Sequence, residues 1–282
     1  MHIVVCIKQV PDSAQIRVHP VTNTIMRQGV PTIINPYDLF SLEEALRLRD
    51  KFGGKVTVLT MGPPMADTSL RKALSMGADA AVLLSDRCFA GSDTLATSYA
   101  LASAIAKITE TEPVGMVFCG KQTIDGDTAQ VGPGIAKRLE LNQLTYVERI
   151  DAVDETARKI TVERRAEGGV QVLSTSLPCL ITMLEGTNVV RRGTMEDMLR
   201  AARTEIPMWS AAKAGITDTA LCGLKGSPTV VKKVFAPPPR KEKAKQIDVT
   251  GKTADDIAAA TLNALFAADA RLEETLFRQA GH

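Results

Sequence analysis

Met116-Val117-Phe118-Cys119-Gly120-Lys121-Gln122-Thr123-Ile124-Asp125-Gly126-Asp127-Thr128-Ala129-Gln130-Val131-Gly132-Pro133 is the stretch that decides the fold. A short apolar run, of strand length, passes into a loop rich in Gly, Asp and Thr. It then opens onto a helical pattern at Ile135, Ala136 and Leu139. In an open parallel sheet, ligands sit at the carboxyl ends of the strands. A loop of this composition presents backbone N–H groups and hydroxyls to a phosphate, and the helix N-terminus behind it adds positive potential. A tight strand-to-helix turn without a ligand is the competing account. Pro133 is awkward inside a helix that starts at Asp127, so the helix either begins near Val131 or kinks there.

Working outward, three more apolar runs have the same character: Ile3–Ile7, Val56–Met61 and Ala80–Leu84. Runs that are apolar on both faces suit strands of a parallel sheet covered by helices. The helices between them carry their own signals. Ser41 with Glu44 reads as a capping box, followed by Leu42, Ala45, Leu46 and Leu48, with Gly53-Gly54 as the stop. Leu70, Ala73 and Leu74 mark a second helix ending at Gly77. Asp93 can cap a third, carrying Leu95, Tyr99, Leu101 and Ile105. The alternation predicts an α/β protein with a doubly wound, mostly parallel sheet and right-handed crossovers.

Additions to that sheet are also legible. Residues 16–19 and 24–27 alternate around Pro20–Asn23 as a hairpin. Lys159–Arg165 and Val170–Ser174 form another across Glu167-Gly168-Gly169, and Cys179–Leu184 adds a strand. The division expected is an α/β domain over 1–210, with 186–210 of distinct character, then a C-terminal arm and helix over 211–282. The arm, 232–245, is basic and proline-rich. The last helix starts near Thr253 with Asp256 at the capping-box position. Ile257, Thr261, Leu265, Ala268, Leu272 and Leu276 make its apolar stripe.

A net charge of +2 over 282 residues offers no field that would draw nucleic acid or a membrane surface. No apolar run reaches the length of a membrane span. The N-terminus reads as a strand rather than a signal peptide. Five scattered cysteines point to reduced thiols and a cytoplasmic location, and three histidines lack metal-ligand spacing. Two further loops fall on the same expected edge. Asn35-Pro36-Tyr37-Asp38 could read an adenine edge with the Asn35 amide, or be a plain Asx-Pro turn. The loop before the third helix offers hydroxyls at Thr94 and Thr97 beside the Asp93 cap. No nucleophile–base pair, Walker lysine loop or Gly-x-Gly-x-x-Gly signature is present. Bound-cofactor chemistry or pure binding therefore outranks hydrolysis or group transfer.

With these motifs in view the chain resembles the beta subunit of electron-transfer flavoproteins, the FixA family. The resemblance rests on Val5–Asp12, Ile34–Asp38, Thr60–Pro63, Met76–Asp79 and Gly120–Gly132, in order, over about the first 210 residues. It implies the electron-transfer flavoprotein fold, of adenine-nucleotide alpha-hydrolase-like type. It also implies a heterodimer with a FixB-like alpha subunit, on which the C-terminal arm and helix pack. Ordinary members hold AMP; the matching residues are Cys6, Asn35, Pro36, Tyr37, Asp38, Met61 and Gly120 through Val131. Lys8 and Gln9 adjoin them.

Two stretches, Ser85–Ser98 and Asp125–Pro133, are more similar to a subfamily that replaces AMP with FAD. In that subfamily NADH reduces the flavin by hydride transfer. One electron then goes to a partner dehydrogenase, such as an acyl-CoA or 2-hydroxy-acid dehydrogenase, and one to ferredoxin or flavodoxin. Asp93, Thr94 and Thr97 would lie near the flavin. Oxidoreductase activity would belong to the complex rather than to this chain. Met195, Met198 and Leu199 fall in the family's partner-docking segment, although no lysine run follows, which leaves the partner's identity open. The rival readings are an AMP-binding ordinary subunit and a non-redox nucleotide-binding regulatory module.

Overall fold

The computed structural model describes residues 1–12, 31–232, 246–269 and 271–272. The expected hairpin over 16–27, most of the basic arm and Leu276 lie outside these residues. Two compact units are distinguished, Met1–Phe235 and Ala236–His282.

The first unit runs β1 (His2–Cys6), β2 (Gln9–Pro11), β3 (Thr32–Ile34), α1 (Pro36–Phe52), β4 (Lys55–Met61), α2 (Asp67–Ser75) and β5 (Ala80–Leu84). Then come α3 (Thr94–Thr111), β6 (Val114–Gly120), α4 (Val131–Arg138), β7 (Asn142–Asp154), β8 (Lys159–Ala166) and β9 (Gly169–Ser176). β10 (Cys179–Met183), α5 (Met195–Arg203) and β11 (Met208–Trp209) complete it. The sheet order is β11-β5-β4-β1-β6-β10-β7-β8-β9. Pairing is parallel from β11 through β7 and antiparallel across β7, β8 and β9.

Side chains alternate across each strand, so one run feeds two cores. Ile3, Val5, Val58, Met116 and Phe118 meet α1 and α2 through Leu42, Leu46, Leu70 and Leu74. Val4, Cys6, Leu59, Val117 and Cys119 meet α3 and α4 through Ala100, Leu101, Ile105 and Ile135. Each fully buried Leu or Ile contributes roughly 1.5–3 kcal/mol, so the doubly covered strands are the stable centre.

The strand β10 does not extend an edge. It inserts between β6 and β7, reached by the β7–β8–β9 meander. The helix α1 starts at Pro36, with Asn35 as its cap residue, and not at a Ser41 capping box; Ser41 lies inside the helix. Proline suits that first position because its missing N–H would be unpaired there anyway. Asp93 does cap α3, accepting from the Leu95 and Ala96 amides. Of the two options for α4, the start at Val131 is observed, which puts Pro133 in the first turn, where no intrahelical N–H is needed. In the second unit, α6 (Ala254–Ala268) is capped by the reciprocal Thr253–Asp256 box, and none of its residues is buried.

Candidate functional site

The strand order turns back at β1: β4 and β5 lie on one side, β6 on the other. A crevice at the carboxyl ends of β1 and β6 is therefore the expected ligand position. The start of α1 spans that crevice. Asp38, 5% exposed, accepts from the Lys8 amide after β1 (2.7 Å) and from the Gly120 amide ending β6 (3.1 Å). The buried Asn35 amide donates to Gln122 O (2.8 Å) and accepts from the Ile124 amide (3.1 Å). One turn on, the buried Ser41 hydroxyl donates to Cys119 O (2.6 Å). Positions 35, 38 and 41 share a helix face, and all three side chains grip backbone of the 119–124 stretch.

Burial pushes the Asp38 carboxyl up to about 7, against the downward pull of Asn35 and of the Lys8 and Gly120 amides. Gly120 has no room for a side chain: a Cβ there would sit 2.4 Å from Asp38 Oδ1 and 2.7 Å from Tyr37 Cβ. Lys121 lies over the rings of Tyr37 and Tyr146, at 5.7 and 5.4 Å from their centroids. A hydrogen bond with the Cys6 thiol, with burial added, pushes the Cys119 thiol well up; the two cysteines are register partners on β1 and β6. Met61 ends β4, half-buried beside them.

Beyond Ile124 the loop opens to solvent at Asp125, Gly126, Asp127 and Thr128. Thr123 O accepts from the Gly126 and Asp127 amides, which folds the loop into a turn. Gln122 donates to Asp127 (2.8 Å), and Lys8 holds Asp125 at 2.8 Å. Burial would raise the Asp125 carboxyl, but the Lys8 bond and charge outweigh it and hold it below the ordinary range. Asp127 and Ala129 have φ of 50° and 54°. Gln130 follows at φ −101°, ψ −25°. This alternation of sign turns successive N–H groups to one side, the nest arrangement that binds anions. Among the described residues the Thr128, Ala129 and Gln130 amides carry no hydrogen bond. They lead directly into the free first-turn amides of α4, so the chain presents a row of donors suited to a phosphate.

The α3 start adjoins this row. Gln130 accepts from the Thr94 hydroxyl at 2.8 Å. The close approach is set by Gly134, where a Cβ would lie 2.7 Å from Ser98. Thr97 sits one turn further along α3, half-buried. Two predicted residues are engaged elsewhere. Gln9 donates to Thr68 at 2.9 Å. Asp93 caps α3 with one oxygen, while its other accepts from the Thr229 amide and hydroxyl.

Met195, Met198 and Leu199 belong to α5, which opens with a Thr194–Asp197 capping box. They are 72%, 45% and 50% exposed, an apolar face that the described residues leave uncovered. The segment is fastened by charge. Glu43, nearly buried, accepts from the Arg191 backbone and guanidinium, and Arg191 also reaches Asp50 at 2.7 Å. Arg71 and Arg200 donate to helix-end carbonyls between α2 and α5. Glu43, Asp50, Arg191 and Arg200 line an open cavity of about 840 Å³ that also includes Arg49 and Asp79. Sequence reasoning missed Ser41 and Glu43. Their signal was a polar residue at core-facing helical spacing, which a capping motif masked at Ser41.

No helix among the described residues is long and apolar enough to cross a membrane. The family model described as "Electron transfer flavoprotein domain" matches residues 22–214. The chain is 68% identical to "Protein FixA" of Sinorhizobium fredii over 277 residues, covering 98% of this chain and 97% of that one. It is 66% identical to "Protein FixA" of Azotobacter vinelandii over 280 residues, covering 99% and 100%. It is 46% identical to "Electron transfer flavoprotein subunit beta" of Clostridium acetobutylicum over 265 residues, covering 94% and 98%.

Proposed function

Because the chain belongs to the electron transfer flavoprotein family, as a FixA-type, beta-subunit-like electron-transfer member, we propose that it binds FAD in the crevice between β1 and β6 and works beside a FixB-like alpha subunit. The observation that carries this reading is the donor row over Thr128–Gln130 at the mouth of α4. It suits a phosphate group on a dinucleotide, and the Thr94 hydroxyl lies beside it. Bound there, FAD would accept hydride from NADH and pass electrons singly, in bifurcation, to a partner dehydrogenase and to a ferredoxin or flavodoxin.

This chain's own part is to bind, orient and bury. The backbone amides at 128–131 would hold phosphate, and Lys8 would supply positive charge at the rim. The brace from α1 would keep the Gly120–Ile124 backbone in place. AMP is the alternative ligand, because the same donor row suits a monophosphate equally well. The second unit fits a partner too. The largely apolar α6 has no buried residue, so a surface from the alpha subunit is its natural cover.

The test is co-expression with the alpha partner, acid release of nucleotides, and their quantification per heterodimer. Two FAD and little AMP support the bifurcating reading. One FAD with one AMP removes it and leaves an ordinary subunit. A chain without flavin and without a stable heterodimer, binding ATP as a monomer, would instead support a regulatory module. For the exposed α5 face, Met195→Glu should slow electron transfer to the dehydrogenase while leaving flavin content unchanged. An unaltered transfer rate would rule out docking there.

A further inference from the structure

We propose that Asp38 is a positioning residue that holds the β1 and β6 loops together firmly only in its ionised form, so that protons and nucleotide act against each other through it. The inference rests on the nucleotide reading above and adds its regulation. Asp38 does not touch the proposed ligand position with a spare atom: Oδ2 accepts from the Lys8 amide and Oδ1 from the Gly120 amide. These amides lie on opposite sides of the crevice, and Gly120 leads into the loop that carries the donor row. A carboxylate accepts at both oxygens, whereas a protonated carboxyl turns one oxygen into a donor. Protonated, Asp38 offers one of the two amides only the weaker lone pairs of its hydroxyl oxygen, or turns the O–H toward it donor to donor, so that bond is weakened or lost.

Nothing else can take over the vacated bond easily. Asp38 is almost wholly buried, and the Gly120 backbone is pressed against Tyr37 and Asp38 with no space for another group. The titratable groups facing Asp38 are Lys8, from the end of β1, and the Cys119 thiol, from β6. Asp125 reaches it only through Lys8. Burial places the titration near neutrality, within the range where a cell or an assay moves it. By linkage, a nucleotide that needs the closed loop drives the proton off Asp38 to the same extent that the proton weakens the nucleotide.

The experiment measures the affinity of the full chain, stripped of nucleotide, for AMP and for FAD between pH 5.5 and 8.5, with wild type and Asp38→Asn. Wild type should weaken progressively below pH 7, by up to about tenfold per pH unit. Asp38→Asn should be weak already at pH 8 and keep only the pH dependence of the AMP phosphate itself, so the difference between the two profiles isolates the Asp38 titration. A purely structural role would leave the Asp38→Asn profile below wild type's and parallel to it, and parallel profiles overturn the inference while leaving the nucleotide reading intact. If neither nucleotide binds wild type at any pH, the nucleotide reading fails and takes the inference with it. Should Asp38→Asn not fold, amide exchange of ligand-free wild type decides the matter. Corrected for intrinsic rates, protection at Lys8 and Gly120 must rise through pH 7, and protection independent of pH overturns the proposal.

Discussion

At its start, α1 aims Asn35, Asp38 and Ser41 at backbone atoms of the β1 and β6 ends. Further along, the same helix offers Glu43, Arg49 and Asp50, which meet charged side chains and carbonyls from other segments. The first set is buried and shapes a loop. The second runs from a buried acid to an exposed rim and fastens the approach to α5. Side chain to backbone bonds specify where main-chain donors point, because the partner cannot rotate away. Ion pairs between long side chains specify less geometry, and their strength depends on how far water is excluded. One helix therefore shapes a loop at the sheet's edge and anchors a surface segment by different physics.

The sharpest way to break this comparison is Arg191→Ala. It strands Glu43, whose side chain is 5% exposed, without its cation. A loss of about 3 kcal/mol in urea unfolding is expected, with faster amide exchange over 188–203. A loss no larger than that of an exposed pair would show that the anchor is not electrostatic. Next in size, Asn35→Ala deletes two bonds to the 122–124 backbone. It should cost about 2 kcal/mol and raise exchange in that loop while 188–203 stays protected. Ser41→Ala should cost about 1 kcal/mol, localised to the end of β6. Smallest, Asp50→Asn alters an acid that is 47% exposed, and a change within about 0.5 kcal/mol is expected. An Asp50 effect rivaling that of Arg191 would erase the distinction between buried anchor and exposed rim.

Much of the sheet was readable, and the reason shows in which strands were found. β1, β4, β5 and β6 are covered on both faces, so their residues form mostly apolar runs, broken in β4 only by the buried Thr57 and Thr60. β7 escaped notice. Its inward residues Leu144, Val147, Ile150 and Val153 recur every third position instead of every second. Register shifts between Val147 and Arg149 and between Ile150 and Ala152, with Tyr146 at φ 60°, absorb the extra residues. A bulged strand thus imitated no strand at all. Ser41 misled for the opposite reason: Ser-x-x-Glu is a sound local capping pattern, and Pro36 five residues earlier had already started the helix.

The sequence alone determined the alternation of strands and helices, the stop at Gly53-Gly54, the caps at Asp93 and Thr253, and the loop that leads from β6 into α4. These depend on nearest neighbours: burial on two faces, left-handed glycine, a side chain reaching amides two or three residues on. Only the tertiary structure decided that β10 lies inside the sheet and that Asn35, Asp38 and Ser41 serve the 119–124 backbone. It alone decided, too, that Glu43 waits for Arg191. Those partners are separated by about eighty to one hundred and fifty residues. Local chemistry names the donor and the acceptor, but only the closed sheet brings them within a bond length.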